Sequence, residues 1–366
     1  MLYNAISTLG MSRRLQSTMT DLQIGLTRAN EELATLVHAD VAATIGARTG
    51  RAVNLRNLFD RTEEFHRTTT LLEGRMAAMD SALSSIHDVV TQLMAGASTG
   101  LGQPSPTGSS LQIQARGVLD QVVALLNASS GDSFLFAGTA LDKPPMRASD
   151  ADDPPLRSPL RIVRDAMDAV TGGGMPKTAA ETAAVVAVLD DLFAVRDPAT
   201  PAPAPLTDTF EGGFYTGTTT YAPGGAANPR VSGRPADDAT VAYGIQANDP
   251  MLRTILEGIS MLAAVDTSNM EPAAYRDYME AAVSKLSSGA GDLRDSIALL
   301  GIQRAQVATL AGQHQKQIAI LNTQIQNLEG VDPYQASVRI SQLETQIDAT
   351  AAASARIAKL RLTNYF

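Results

Sequence analysis

Residues 291–330 read GDLRDSIALLGIQRAQVATLAGQHQKQIAILNTQIQNLEG. Leu293, Ile297, Leu300, Val307, Ile318, Leu321, Ile325 and Leu328 all fall on one alternation of threes and fours, and Ala290, Arg304, Ala311 and His314 fill the turns between them. That alternation stacks the apolar side chains along one side of a helix, which makes a coiled-coil seam. It breaks at Glu329-Gly330-Val331-Asp332-Pro333, where Gly330 and Pro333 are poor helix-interior residues. A second seam starts at Ile340, Leu343 and Ile347 and runs through Ala351, Ala352 and Ala353 to Ile357 and Leu360. At 1.5 Å per residue the two helices span roughly 55 Å and about 50 Å. A stripe of that length needs a partner of equal length.

The partner is legible at the other end of the chain. Leu15, Met19, Leu22, Leu26, Ala29, Leu33 and Leu36 alternate fours and threes. The register breaks across His38 to Gly50. A new one begins at Leu58 and continues through Thr62, Phe65, Thr69, Leu72, Met76, Met79, Leu83, Ile86, Val90 and Leu93. A Gly- and Ser-rich stretch, Ala95 to Pro104, closes it. A shorter helix follows, capped by Ser109 or Ser110, with Leu111, Ala115, Val118, Val122 and Leu125 on one face. Both ends of the chain thus carry seams broken in two, and the economical arrangement pairs N-terminal with C-terminal helices. The proximal segments pair with each other, and so do the terminal ones. The predicted fold is mainly α, with long terminal helices paired in a coiled-coil rod and an α+β insertion between them.

The middle of the chain has another character. Lys143-Pro144-Pro145, Asp153-Pro154-Pro155 and the proline-rich run Asp197 to Pro205 block long helices. Leu160 to Val170 and Thr178 to Phe193 predict two modest helices. Phe210 to Tyr221 reads as strand, with Arg230–Val231 and Ala239 to Ile245 as further strands. Gly224-Gly225 and Pro235 to Asp238 supply turns. Residues 141–249 hold fifteen acidic and nine basic side chains, so this region carries −6 of the chain's −9. An acidic, loop-rich face of this kind reads as solvated surface. Helical pattern returns at Asp249-Pro250 with Leu252, Ile255, Ile259 and Leu262, and again at Glu271-Pro272.

Composition narrows the chemistry. The chain has no Cys, so it has no disulfide, no thiolate metal site and no Cys nucleophile. Its negative charge disfavours nucleic acid as the main partner. The longest apolar runs, such as Ala183 to Leu189, fall well short of a membrane span, so membrane insertion is not expected. Met1-Leu2-Tyr3-Asn4 lacks a basic region followed by an apolar core, so a cleaved signal peptide is not expected. His38, His66, His87 and His314 are not spaced for a metal, and no phosphate-cradling glycine loop or nucleophile elbow occurs. The expectation is a structural protein, with no enzyme activity, no cofactor and no metal.

Local sequences then resemble the bacterial flagellin superfamily, and within it the hook–filament junction proteins, hook-associated protein 3. Ser133-Phe134-Leu135-Phe136-Ala137-Gly138-Thr139, with Leu141 to Met146 behind it, is similar to the family's aromatic-x-Phe-Ala-Gly-Thr segment and its proline pair. Lys359-Leu360-Arg361-Leu362-Thr363-Asn364-Tyr365-Phe366 resembles the Leu-x-Leu-x-Asn-Tyr-apolar ending of junction proteins. Val241 to Pro250 is similar to the strand leading back into the rod. One departure stands: where the family often carries Ser/Thr-Gly-Lys/Arg and then Ser-Asp-Asp-Pro, this chain has Ala34 to Val41.

The resemblance implies three regions. Residues 1–40 and 331–366 form terminal core helices, disordered before assembly, that present Leu15, Met19, Leu22, Leu26 and Leu33 on one side and Ile340, Leu343, Ile347, Ile357, Leu360, Leu362, Tyr365 and Phe366 on the other. Residues 41–140 and 250–330 form a helical rod whose seam includes Leu72, Met76, Met79, Leu83, Ile318, Leu321, Ile325 and Leu328. Residues 141–249 form a solvent-facing α+β insertion. It also implies export through the flagellar type III apparatus without a cleaved signal, and an extracellular place in the flagellum. The implied partners are further copies of the chain in the axial structure, a hook-side junction protein, flagellin and an export chaperone, with the C-terminal seam the expected chaperone site. A flagellin proper and an unrelated coiled-coil scaffold stay open as alternatives.

Overall fold

A computed structural model describes residues 2–99, 101, 104, 108–150, 152, 156–196 and 209–363; of residues 2–9 and 358–363 it describes the backbone alone. Helices dominate. The first part of the chain forms α1 (Leu2–Thr35), α2 (Val41–Ile45), α3 (Thr49–Thr99) and α4 (Gly108–Leu126). The middle adds α5 (Pro159–Thr171), α6 (Ala179–Phe193) and the single turn α7 (Phe210–Gly213). The last part comprises α8 (Pro250–Ala264), α9 (Pro272–Glu329) and α10 (Pro333–Thr363). Two antiparallel hairpins accompany them: β1 (Ser129–Ser130) with β2 (Ser133–Phe134), and β3 (Ser232–Ala236) with β4 (Ala239–Ala242).

The chain divides into two compact units, residues 1–64 with 313–366, and residues 65–312. In the first, α1 packs along α10. Leu36 lies beside Val331 at one end, and Gly25 faces Leu343 further along, so the two helices run antiparallel. In the second, Asp80 meets Arg304 and His87 meets Arg294, so α3 and α9 also run antiparallel there.

The core of the second unit gathers around α8. Every residue from Met251 to Ala264 except Thr254 is buried. Asp249-Pro250 starts this helix and Glu271-Pro272 starts α9, as the proline positions predict. Helices α4, α5 and α6 all pack on α8. Because it is covered on all sides, the amphipathic stripe read from Leu252, Ile255, Ile259 and Leu262 is only part of its buried surface.

Several expectations shift by local packing. Leu58 is exposed; burial passes instead through Ala52, Leu55 and the half-buried Phe59. The Leu55, Thr62, Thr69, Met76 row stays buried throughout. Buried threonine hydroxyls in that row satisfy themselves on the previous turn, Thr62 Oγ1 donating to the Leu58 carbonyl at 2.6 Å and Thr69 Oγ1 to the Phe65 carbonyl. On α4 the buried face runs Ala115, Leu119, Val122, Leu126, one residue beyond the Val118 and Leu125 of the sequence reading, which are half-buried.

The insertion differs most. Phe210 to Tyr221 is not a strand. Thr209 caps α7 by accepting the Gly212 N–H, and Phe210, Phe214 and Tyr215 gather with Phe193 at centroid separations of 5.1–6.4 Å. Aromatic packing in one cluster overrides the β propensity of those residues. Strand β3 starts at Ser232, after Arg230–Val231, and β4 stops at Ala242, before Ile245. The two helices expected in the insertion are α5 and α6, each within two residues of its predicted ends.

Candidate functional site

The candidate sites read from the sequence are pairing surfaces. Leu15, Met19, Leu22, Leu26 and Leu33 of α1 are half-buried, and so are Ile340, Leu343, Ile347 and Ile357 of α10. Among the described side chains of these helices, only Ala29 and Ala336 are fully covered apolar residues. A two-helix pair covers each seam residue from one side, which leaves the seam half-wet. Met11, Ile24, Tyr334 and Val338 lie outside the seam and are 41–78% exposed. Of the expected C-terminal residues, Leu360 and Leu362 lie in α10 where the backbone alone is described, and Tyr365 and Phe366 lie outside the described residues.

The two breaks in the seams sit opposite each other. The Val331 N–H donates to the Leu36 carbonyl and the His38 N–H to the Glu329 carbonyl, each at 3.0 Å. Leu36 takes a left-handed φ of 58° to make this crossing, a conformation that costs a non-glycine residue about 1–2 kcal/mol. Two buried carboxylates brace it. Glu329 accepts Arg56 Nε at 3.2 Å and Nη2 at 2.5 Å. Glu32 accepts the Ala39 N–H at 3.1 Å and lies 3.6 Å from His38 Nδ1 and 3.8 Å from Arg339 Nη1. The chain at Ala34 to Val41, where the flagellin motif is missing, is held by these contacts.

Along the rod seam, Met76, Met79 and Leu83 are fully buried and Leu72 is nearly so. In the other unit Leu321 is buried, while Ile318, Ile325 and Leu328 are half-buried. His314, also on the seam, is buried at its edge.

The Phe134–Thr139 segment is a junction of four chain segments. Phe136 and Ala137 are fully buried. The Phe134 carbonyl accepts Arg75 Nη2 of α3 at 2.8 Å, and the Phe136 carbonyl accepts the Ala247 N–H at 2.9 Å. The Ala137 carbonyl accepts the Thr218 N–H at 3.0 Å. Thr218 Oγ1 in return accepts the N–H groups of Thr139 and Ala140 at 2.9 and 3.0 Å. Gly138 turns the chain at φ 68°, and a Cβ there would stand 2.8 Å from Gln246 Nε2 and from Thr218 Cβ. The same segment therefore ties α3, the loop around Thr218 and the turn before α8 together.

The sequence profile of the bacterial flagellin N-terminal helical region matches residues 6–140, and that of the flagellin C-terminal helical region matches residues 278–366. The chain belongs to the bacterial flagellin superfamily. Its members are structural proteins of the bacterial flagellum. No curated protein matches the chain. Among solved structures, one provisionally described as a flagellar hook-associated protein from Vibrio parahaemolyticus aligns at 11% identity and a TM-score of 0.48, over 77% of this chain and 97% of its own. Among the described residues, no helix of this flagellin-family chain is long and apolar enough to cross a membrane, and no three His, Asp or Glu residues gather as metal ligands.

The sequence reading missed the polar groups that fasten α8 and α9 to the segments packed on them. Arg253, buried in α8, donates to Glu211 Oε1, the Asn248 carbonyl and the Ala194 carbonyl at 2.6–2.9 Å, and stacks 4.7 Å above the Phe210 ring. Burial opposes ionisation of Glu211, but hydrogen bonds from the Thr220 side chain and N–H, the Arg253 charge and Asn248 outweigh it and hold its carboxyl below the ordinary value. Asp249, at the α8 N-terminus, takes a two-pronged ion pair from Arg230 at 2.5 and 3.0 Å. Asp190, Glu257 and Lys285 form a further cluster. The signal that could have exposed them was present: Arg253 and Glu257 are charges in an otherwise apolar helix.

Proposed function

We propose that this flagellar structural protein is a hook–filament junction protein. The observation that carries this reading is the Phe134–Thr139 segment, which matches the junction-type pattern and whose backbone ties rod to insertion through Arg75, Thr218 and Ala247. Its C-terminal Leu360-Arg361-Leu362-Thr363-Asn364-Tyr365-Phe366 pattern supports the same reading. The chain leaves the cell through the flagellar export apparatus and assembles outside it with further copies. A hook-side junction protein lies on one side of it and flagellin on the other. The terminal regions 1–40 and 331–366 supply the assembly helices, the rod comprises 41–140 and 250–330, and 141–249 faces solvent. Half-wet seams on α1 and α10 support this assignment, since exposed apolar stripes mark assembly surfaces. The terminal helices are disordered in the free chain and order on assembly, and the exposed α10 seam receives the export chaperone until then.

Deleting the gene tests the role. Loss of the filament, with flagellin shed into the medium, is expected. Normal filaments and swimming in the deletion strain refute the junction reading.

A further inference from the structure

Three helices of the second unit meet at one charge cluster. Glu257 of α8 is 3% exposed and Lys285 of α9 reaches it, Nζ to Oε1, at 3.1 Å. Lys285 Nζ also donates to Asp190 of α6, and its approach to Glu257 Oε1 is an ion-pair contact without good hydrogen-bond geometry. Two carboxyls thus share a single ammonium, and the buried carboxyl is the less well served. Other charges on the packed helices have partners of their own. On α8 itself, Arg253 is committed to Glu211. On α6, Asp191 pairs with Arg196. Arg116 of α4 and Arg164 of α5 end on the Ala263 and Ala264 carbonyls.

We propose that Asp190, Glu257 and Lys285 form a proton-operated clasp between the insertion helix α6 and the rod helices α8 and α9, closed when Glu257 holds a proton and loosened when it ionises. With the proton on, Glu257 is neutral, and the cluster reduces to a balanced Asp190–Lys285 pair. With it off, two carboxylates compete for Lys285 and one of them is buried away from water, a costly arrangement. Burial raises the Glu257 pKa from 4.5 to about 7; Lys285 opposes this and Asp190 adds to it. The direction follows from linkage. A carboxyl whose folded value is raised stabilises fully below its unfolded value, and that stabilisation is lost as pH rises through the folded one. Apolar contacts of Val185, Leu189, Leu192 and Phe193 keep α6 in the core throughout, so the response is a local opening and not global unfolding.

The test is amide hydrogen exchange of α6 in the full-length protein at pH 6 and pH 8, corrected for intrinsic exchange, with Glu257→Gln as the permanently neutral mimic. Between those values, an unfolded value of 4.5 and a folded value of about 7 give roughly a tenfold loss in α6 protection beyond that of Glu257→Gln. A carbon-13 titration of the Glu257 carboxyl gives an independent reading that needs no variant, with a midpoint expected near neutrality. Equal pH dependence in wild type and Glu257→Gln overturns the proposal. So does a Glu257 carboxyl that titrates as an ordinary exposed glutamate.

Discussion

Replacing Gly138 by alanine separates two costs that usually travel together. Gly131 and Gly138 both adopt left-handed backbone, at φ 60° and 68°. Either substitution pays the conformational term for an L side chain, about 1–2 kcal/mol. At Gly131 the new methyl meets nothing within 4 Å. At Gly138 it arrives 2.8 Å from Gln246 Nε2 and Thr218 Cβ and 2.9 Å from Thr218 Oγ1. Thr218 cannot turn aside freely, because Oγ1 holds the N–H groups of Thr139 and Ala140 and sits 2.9 Å from Thr139 Oγ1. Losing two of those contacts adds about 2 kcal/mol. Gly138→Ala should therefore cost roughly 3–4 kcal/mol and Gly131→Ala about 1–2 kcal/mol. Urea unfolding followed by circular dichroism reads both. Thermal midpoints should fall by roughly 2–4 °C per kcal/mol for a unit of this size. Equal losses at the two glycines would refute the account of the Phe134–Thr139 junction as a crowded tie between rod and insertion.

Other perturbations test other links. Leu321→Asp places an unpaired charge at a buried seam position and should cost roughly 3–5 kcal/mol, whereas Asp at exposed Gln326 should change the melting temperature little; equal effects contradict the seam register. Glu211, whose carboxyl is held below its ordinary 4.5, contributes stability that is present above pH 4.5 and lost as pH falls through its lowered folded value. Acid unfolding of Glu211→Gln should accordingly be less steep across that range than that of the wild type, and an unchanged profile contradicts the Arg253–Glu211 tie. Deleting residues 1–35 or 335–366 should abolish assembly and leave the helicity of the second unit intact, which circular dichroism checks.

The long helices were legible because a heptad written over many turns leaves no alternative. The 4–3 alternation placed α1, α9 and α10, the prolines at positions 250 and 272 marked the starts of α8 and α9, and the break at Glu329 to Pro333 separated α9 from α10. What slipped was the choice between neighbouring residues on one helix face. Leu58 and Phe59 both lie near the stripe, because a straight helix drifts about 20° per heptad from the 3.5 repeat. Only the neighbouring surface decides that Phe59 turns in. Val118 against Leu119 is the same ambiguity. The insertion failed differently. Phe210, Phe214 and Tyr215 have strand-forming side chains, but their partner Phe193 lies on another element, and no local pattern reveals it. Of the candidate sites, the seams and the Phe134–Thr139 segment were readable. The polar ties made by Arg253, Asp249 and Glu257 were readable only as charges in or beside an apolar helix, since each partner lies too far along the chain for a local pattern to reveal.

The junction assignment is tested most directly by electron microscopy of the purified protein, seeded with filament fragments or salted out. A junction protein adds a short zone and stops, so only short caps or rings should appear. Long filaments grown from this chain alone would contradict the assignment and make it a flagellin.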